Sequence, residues 1–411
     1  MKLLVMVVLC LGLQIQASAQ NIEVCSKCEV STIKEAIEIV PQNTTIYVKK
    51  GRYTEHEIII DKPISLIAEK GAIIDGENQG SIIRVQSDDV IIKGFIIENV
   101  GFSHTEEFAA IHIQKSNRFT ISDNSLRHVF FGILIQASKD GKITNNTITG
   151  DSGTEFYSGN GVHAWKSEKL LVSNNVIEKL RDGIYLEFVN ESKVIDNVSQ
   201  NNIRYGLHFM FSNNDDYERN IFSNNGAGVA VMFSKNIGVR NNVFKNNWGT
   251  ASFGLLLKEI YDAEIEGNTF QENTVGIQVE GSSRIYYYRN DFKSNGWAVK
   301  ISGGCFTNEF TENNFLYNSF DLSYNAKMND NKFENNYWSE YTGYDLDKDG
   351  IGDVPFRPVQ LFSYIVNRTP ETIILLRSLF VDIINFSEKV SPVFTPNDLS
   401  DPTPKMRMIN D

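Results

Sequence analysis

From about residue 87 the chain alternates between short turns that contain asparagine and short strands in which hydrophobic residues recur at every second position. A fixed period of twenty to thirty residues is typical of a solenoid, in which each repeat forms one coil that stacks on the next. The aligned turn asparagines, at steps of 22 to 29 residues, are Asn124, Asn146, Asn175, Asn197, Asn220, Asn242, Asn268, Asn290 and Asn314.

After most of these turns a glycine leads a strand, and alternate residues of a strand point to opposite faces. The first and third residues after each glycine are almost all apolar, which predicts that they face the core: Ile133, Ile135, Val162, Ala164, Ile184, Leu186, Leu207, Phe209, Val229 and Val231. We expect each glycine to occupy a corner with positive φ. We expect the asparagines to form a hydrogen-bonded ladder from coil to coil.

A coil of about 22 residues is too short for a strand–helix–strand unit and fits three short strands. The repeat therefore predicts an all-β fold, a right-handed parallel β-helix, over residues 87–340. A leucine-rich repeat is the main alternative, but its Leu-x-x-Leu-x-Leu core is absent from the sequence.

Both ends of the array are predicted to be capped. Residues 20–86 form an N-terminal cap and the first coils, with a short helix that begins at Ser31 or Thr32 and has Glu35 at capping-box spacing. Residues 341–368 form an Asp-rich closing loop and linker. Residues 369–411 form an amphipathic helix, with Thr369 as N-cap and Pro370 in its first turn, and an extended tail.

Two insertions lengthen the repeat, at residues 150–158 and 246–252. Both fall between an asparagine turn and a glycine-led strand, so both are expected at the same corner. Insertions on one face of a solenoid often mark its working face.

Composition and the N-terminus narrow the functional class. The formal net charge of −12 argues against a nucleic-acid partner, which requires a basic surface. Residues 1–19 have the pattern of a secretory signal: Lys2, an apolar run from Leu3 to Leu13, and small residues from Ala17 to Ala19. We therefore expect export, with a mature chain that begins at about Gln20. No later segment is long and apolar enough to span a membrane.

The second and fourth residues after each glycine are predicted to face outward and to stack in two ladders. The second-position ladder contains His112, Leu134, His163, Tyr185, His208, Ala230, Leu256 and Gln278. The fourth-position ladder contains Gln114, Gln136, Trp165, Glu187, Met210, Met232, Lys258 and Glu280.

In these ladders His208, Met210 and Met232 are predicted to lie within reach of one ion, because neighbouring strands are about 4.8 Å apart. His163 and Glu187 are expected one or two strands away from His208 in the same ladders. Thioether and imidazole groups together favour Cu(I) over hard cations. The alternative is a solvated strip in which methionine and aromatic side chains cover an apolar patch or a partner surface.

Two further groups of residues have metal-ligand or redox spacing. Cys25 and Cys28 are expected to form a disulfide in an exported protein, with copper or zinc binding as the alternative, and Cys305 is expected to be a buried free thiol. Asp345, Asp347, Asp349 and Asp353 resemble a calcium loop with Gly350 at the turn. An acidic turn without an ion is the alternative there.

A carbohydrate-active enzyme, such as a polysaccharide lyase or epimerase, or a sugar-binding module is the alternative function for a parallel β-helix. Such enzymes need converging acids, or a base beside an acid cluster, along their groove. The outward ladders offer one central acid, Glu187. A non-catalytic scaffold is therefore favoured.

Several segments together resemble the NosD family: the cap with STIKEAI, the coil segment GLHFMFSNND, the closing segment NNYWSEYTGYDLDKDGIGDVPFRP and the helix LLRSLFVDIINF. The resemblance covers essentially the whole chain after the signal. The coil repeat alone is shared with carbohydrate-active β-helices, whereas the other segments together are much more specific.

The resemblance implies a periplasmic copper-binding protein that takes part in the maturation of nitrous oxide reductase. Its implied partners are the ATPase and membrane permease of an ABC-type complex, a lipoprotein copper chaperone and the reductase. Copper, bound transiently as Cu(I), is the implied cofactor. No fixed ligand motif of the family can be matched residue by residue.

The C-terminal helix carries more apolar side chains than one side of a soluble cap needs: Ile373, Leu375, Leu376, Leu379, Phe380, Ile383, Ile384 and Phe386. It either covers the last coil or docks, with the tail, on the periplasmic face of the permease. We favour docking, which would attach the protein peripherally to the inner membrane.

Overall fold

The computed structural model describes residues 21–151, 153–325, 330–376, 378–390 and 399–409. Within them the chain forms a parallel β-solenoid of about 14 turns. Every paired strand in its three sheets runs parallel to its neighbour along the solenoid axis. The predicted parallel β-helix is therefore confirmed. The predicted signal segment lies outside the described residues.

Sheet 1 has 14 strands: Ile22–Val24, Thr44–Val48, Ile64–Ala68, Ile91–Lys93, Thr120–Ser122, Lys142–Thr144, Leu171–Ser173, Lys193–Ile195, Asp216–Glu218, Lys235–Arg240, Tyr261–Glu266, Ser283–Tyr288, Glu309–Thr311 and Lys332–Glu334. Sheet 2, which holds the glycine-led strands, has 12 strands: Ile58–Ile60, Ile83–Val85, Ala109–Gln114, Phe131–Gln136, Asn160–Trp165, Asp182–Glu187, Tyr205–Met210, Ala227–Met232, Leu255–Lys258, Val275–Glu280, Trp297–Ser302 and Phe320–Asn325. Sheet 3 has 13 strands: Gly51–Thr54, Ala72–Asp75, Ile96–Glu98, Ser125–Arg127, Thr147–Thr149, Val176–Glu178, Val198–Gln200, Ile221–Ser223, Val243–Lys245, Thr269–Gln271, Asp291–Lys293, Asn314–Leu316 and Tyr337–Trp338.

The interior is filled by stacked side chains of successive coils. All ten predicted inward residues of sheet 2 are buried. Along sheet 3, Phe244 and Phe270 stack with ring centroids 4.6 Å apart, and the column continues to Trp338. Burying one such ring contributes roughly 1.5–3 kcal/mol, so the column is a large part of the core.

The predicted asparagine ladder is present and fully buried. In each rung the backbone N–H and the side-chain amide of one asparagine both donate to the side-chain oxygen of the next, as from Asn197 to Asn220 at 2.9 and 3.0 Å. The prediction placed Asn314 in the ladder, whereas the structure places Asn313 there. Asn314 instead bonds to Asp291 and to the backbone of Ile409.

The leading glycines do not have positive φ, contrary to the prediction. They are required because the coils approach closely at this corner: a Cβ on Gly206 would lie 2.9 Å from the carbonyl oxygen of Gly228. The left-handed corners are occupied by other residues, including Asn174 with φ of 56° and Phe211 with φ of 51°. The packing between coils, rather than the backbone dihedral, therefore selects glycine.

The N-terminal end is capped as predicted. Helix α1 (Ile33–Ile39) begins at Thr32, whose side chain accepts from the backbone N–H of Glu35. Its apolar side is buried on the first coil, and the carboxylate of Glu55 accepts from the first helical N–H, that of Ile33, at 2.8 Å.

The C-terminal segment differs from the single predicted helix. Helix α2 (Leu361–Arg368) begins inside the predicted linker, a 3-10 helix covers Pro370–Leu375, and helix α3 (Leu379–Val390) follows. Both α helices pack on the outer side of sheet 2, where Phe362, Val366 and Val381 join one apolar cluster with Ala230 and Leu256. No helix of the described residues is long and apolar enough to cross a membrane.

Candidate metal-binding site

The outer side of sheet 2 carries the two predicted ladders in the predicted register. His163, Tyr185, His208 and Ala230 occupy adjacent positions on four successive strands. Trp165, Glu187, Met210 and Met232 do the same two residues further along each strand. The two insertions both leave the solenoid between sheet 3 and sheet 2, as expected.

The second-position ladder faces outward but is not a solvated strip. His208 is 6% exposed and His163 is 9% exposed. The ring of His208 contacts the rings of Tyr185 and Tyr205, with centroids 4.9 and 4.8 Å away. Tyr205 also packs against the apolar cluster beneath helices α2 and α3, so the C-terminal helices close this side of the ladder.

His208 is buried without a hydrogen-bond partner on either ring nitrogen. Its Nδ1 lies 3.9 Å from Oδ2 of Asp182, which is beyond hydrogen-bond reach. Buried polar atoms are nearly always paired, so two unpaired nitrogens on one imidazole require an explanation.

His163 does not join His208 in one site, because the ring of Tyr185 lies between the two imidazoles. Burial and the nearby guanidinium of Arg181 lower the pKa of His163 to about 4. The imidazole of His163 is therefore neutral at neutral pH. Its Nδ1 lies 3.5 Å from the side-chain amide nitrogen of Asn160.

Met210 and Met232 are in register on adjacent strands, with Glu187 in register on the strand before. All three side chains are partly exposed, and Met232 also packs against the cluster beneath α2 and α3. Burial and the carboxylate of Glu187 raise the pKa of Tyr185 to about 12. Glu187 is therefore in contact with the second-position ladder.

The edge beside these methionines is apolar and exposed. Phe188, Phe211 and Phe233 follow Glu187, Met210 and Met232, and their rings stack with centroids 5.1 Å apart. Each is about two-fifths exposed. The methionine pair is thus open to solvent on one side, and Met210 lies two residues beyond the buried His208 on the same strand.

Sequence reasoning missed the residue that precedes each leading glycine. Asn160 and Asp182 occupy this position on adjacent strands, are in register with each other, and are 0% and 1% exposed. The side-chain oxygen of Asn160 has no hydrogen-bond partner. The sequence did carry a signal for this pair. Asn160 and Asp182 are strongly polar, whereas the same position in the next two coils holds Tyr205 and Ala227.

The acidic loop brings three of its four predicted residues together. Ligand oxygens of Asp345, Asp347 and Asp349 lie within 4.8 Å of one another, the single such group of three acidic, histidine or cysteine side chains among the described residues. Asp353 stays apart from this group, because its carboxylate accepts the backbone N–H of Leu346 at 2.7 Å.

The cysteines agree with the sequence prediction. Cys25 and Cys28 form a disulfide, and Cys305 is a buried free thiol. The alternative of metal binding by the Cys25–Cys28 pair is therefore not supported in this state.

The family described as "Periplasmic copper-binding protein (NosD)" matches residues 37–158 and 144–343. The chain belongs to the NosD family. The predicted resemblance is thereby confirmed over most of the solenoid. His163, Asp182, His208, Met210 and Met232 all lie inside the NosD match, whereas the acidic loop lies just beyond it.

Two curated relatives of the NosD family span nearly the whole chain. The chain is 28% identical over 377 residues to a "Probable ABC transporter binding protein NosD" of Pseudomonas aeruginosa, covering 87% of each chain. It is 26% identical over 378 residues to a protein of the same description from Stutzerimonas stutzeri, covering 87% of this chain and 86% of that one. These relatives are described as binding proteins and not as enzymes.

Among solved structures, a family 28 exopolygalacturonase of Yersinia enterocolitica superposes with a TM-score of 0.57 at 12% identity, covering 77% of this chain and 79% of that one. At this identity the likeness shows the shared solenoid fold alone.

Proposed function

We propose that this protein binds copper as Cu(I) at Met210, Met232 and His208 and passes it to nitrous oxide reductase. The observation that carries the proposal is the register of the two methionines beside a buried imidazole whose nitrogens have no partner. Thioether sulfur is a soft ligand that selects Cu(I), and imidazole also suits copper. Glu187 lies at the edge of this set, and His163 is separated from it by Tyr185.

The partly exposed methionines suit transfer better than storage. A bound ion at Met210 and Met232 would be reachable from the side of the stacked phenylalanines, whose exposed apolar edges fit a protein partner. A lipoprotein copper chaperone and the reductase are the partners proposed for this edge.

Helix α3 is the proposed docking element for the membrane permease of an ABC-type complex, whose ATPase would act from the other side of the membrane. Val381 is buried against the solenoid, whereas the other side of the helix exposes Leu379, Phe380, Ile383 and Phe386 by 54% to 74%. The descriptions of the two relatives as ABC transporter binding proteins support this partner class.

In this proposal the described part of the tail, residues 399–409, has a smaller share in docking than the sequence analysis gave to the whole tail. Residues 399–409 pack on the last coil and on the closing loop. There the backbone of Lys405 forms isolated β-bridges with Tyr337 and with Ile351. Docking is therefore assigned to α3, with the protein held peripherally at the inner membrane.

A carbohydrate-active function has less support. A polysaccharide needs an open groove lined by acids, and the histidines of the second-position ladder are almost completely buried. Beside these histidines the outward ladders place one acidic residue, Glu187, and its carboxylate interacts with Tyr185.

The copper proposal is tested by anaerobic competition for Cu(I) with a chromogenic chelator. Replacing Met210 and Met232 together by Ala is expected to weaken Cu(I) binding by about tenfold or more, since two of three ligands are lost. The matched control replaces Met406 and Met408 of the tail by Ala and should leave binding unchanged. Equal affinity in both double variants would contradict the proposed site.

A further inference from the structure

The carboxylate of Asp182 and the imidazole of His208 face each other across a gap that is too long for a hydrogen bond. Oδ2 of Asp182 and Nδ1 of His208 are 3.9 Å apart, and both side chains are more than nine-tenths buried. Nitrogen and oxygen ligands lie about 2.0–2.2 Å from a metal such as zinc, so two ligands of one ion are separated by roughly 3–4 Å. The observed separation fits two ligands of a shared ion.

We propose that Asp182 and His208 form a binding site for a divalent transition-metal cation of borderline softness, of the Zn²⁺ or Cu²⁺ class. Imidazole and carboxylate together suit such cations, whereas Cu(I) prefers the thioethers of Met210 and Met232. The site shares His208 with the proposed Cu(I) site but does not require Cu(I) binding.

The neighbouring unpaired atoms support a missing ligand. Both nitrogens of His208 and the side-chain oxygen of Asn160 are buried and have no hydrogen-bond partner. Asn160 is in register with Asp182 on the adjacent strand. An amide oxygen is a third donor of the kind that accepts a divalent cation.

Asp182 has a cationic partner, the guanidinium of Arg204, at the outer limit of ion-pair distance. Asp182 accepts the backbone N–H of Tyr205 at 3.3 Å, and Nε of Arg204 lies 3.9 Å from its Oδ1. Arg204 also pairs with Glu155 at 3.2 Å, so its charge is divided between two carboxylates. The guanidinium of Arg204 therefore compensates the buried carboxylate of Asp182 only in part, and an ion shared with His208 would compensate it further.

Titration calorimetry with Zn²⁺ tests the site on the mature full chain with the Cys25–Cys28 disulfide intact. The parent chain for this test carries Asp347→Asn and Asp349→Asn, which removes the acidic loop as a competing site. We expect one equivalent of Zn²⁺, and we expect Asp182→Asn and His208→Gln each to weaken its binding by about tenfold or more. Asp182→Asn keeps an oxygen for the N–H of Tyr205, so the fold should be retained.

Two controls separate the site from its surroundings. Asp215→Asn removes another buried carboxylate, which lies on the solenoid near sheet 1, and should not change Zn²⁺ binding. Met210→Ala with Met232→Ala should also leave Zn²⁺ binding within about twofold, because thioethers are weak ligands for this class of ion.

A spectroscopic readout keeps the test valid even if a variant folds poorly. Pulsed electron paramagnetic resonance of substoichiometric Cu²⁺ on the parent chain should show one coordinated imidazole, which His208→Gln should remove. The proposal is overturned if the parent chain takes up no Zn²⁺, if Asp182→Asn binds it as the parent does, or if the imidazole signal is absent or persists in His208→Gln.

The two proposals fail in different ways. Loss of Cu(I) binding in the methionine double variant together with unchanged Zn²⁺ binding in Asp182→Asn would refute the divalent site and leave the copper proposal standing. The reverse pattern would refute the Cu(I) ligands and support the divalent site.

Discussion

Asp401 takes the place of the next asparagine at the end of the buried ladder. Its Oδ2 accepts the backbone N–H of Asn336 at 3.0 Å and the side-chain amide of Asn336 at 3.1 Å. The same oxygen accepts the indole N–H of Trp338 at 3.0 Å. The tail therefore closes the solenoid by supplying the rung that a further coil would otherwise supply.

Replacing Asp401 by Ala should destabilise the last coil, because three donors would lose their shared acceptor. Each buried donor left unpaired costs about 1–3 kcal/mol. Asp401→Asn is the matched control: it keeps an oxygen for Asn336, as in every other rung, and should be much milder. Hydrogen exchange of the backbone amide of Asn336 and of the indole N–H of Trp338 measures the effect. Equal protection in the Ala variant and the wild type would show that the tail is not a cap.

Asp215 should make stability depend on pH. Its carboxylate is buried and accepts the backbone N–H of Ser192 at 2.7 Å. Burial raises the pKa of Asp215 from 3.8 to about 8. Between these pH values the unfolded chain is ionised while the folded chain keeps its proton, so stability falls as the pH rises.

Asp215→Asn removes this titration. The Tm of the variant should therefore gain on the Tm of the wild type only above about pH 4, and the gain should reach about 2 °C or more towards pH 8. Thermal unfolding across this range measures it. Asp262→Asn is the control: the Arg284 guanidinium holds the pKa of Asp262 below its usual value, so its difference from the wild type should be constant above about pH 5. A constant difference for Asp215→Asn would refute the prediction.

The exposed side of helix α3 should be needed for association with the membrane complex but not for folding. Phe380→Asp with Ile383→Asp should abolish co-purification with the permease and leave the Tm unchanged, because both side chains are more than half exposed. Tyr317→Asp, on a side chain that is 76% exposed at a turn between sheets 3 and 2, is the control. Continued co-purification of the α3 variant would contradict docking through this helix.

Substitution is a sharper test than truncation. A cut after about residue 366 would remove Val381, which covers sheet 2, and Asp401, which ends the ladder. A truncated chain would lose stability for reasons unrelated to docking.

The acidic loop is proposed to hold a structural calcium ion. Ca²⁺ should raise the Tm, since a ligand at one hundred times its Kd stabilises a fold by about 2.7 kcal/mol. Asp347→Asn with Asp349→Asn should abolish this rise, whereas Asp353→Asn should reduce it less, because Asp353 bonds to the backbone and lies outside the group of three. An unchanged Tm in the presence of Ca²⁺ would favour an acidic turn without an ion.

The repeat made most of the fold predictable. Inward positions such as Leu207 and Val229, and ladder members such as Asn197 and Asn220, follow from a short-range period that every coil repeats. The role of the leading glycines was not predictable, because the backbone of Gly206 meets Gly228 only when the coils stack.

The candidate site was predictable only in part. Alternation placed His208, Met210 and Met232 on one face, but it could not show that Tyr185 separates His163 from His208, since that depends on ring packing. The approach of Asp182 to His208 was missed for the same reason: these residues are on different strands and at different positions relative to their glycines.

The sequence by itself determined the coil, its core and its register, because each depends on residues that recur within one repeat. Only the tertiary structure decided what covers the outer side of sheet 2 and what ends the solenoid. Helices α2 and α3 lie over the coil of Ala230, and Asp401 reaches Asn336 across 65 residues of sequence. Such contacts depend on the fit of surfaces that no repeat encodes, and they decide which side chains of the candidate site are buried.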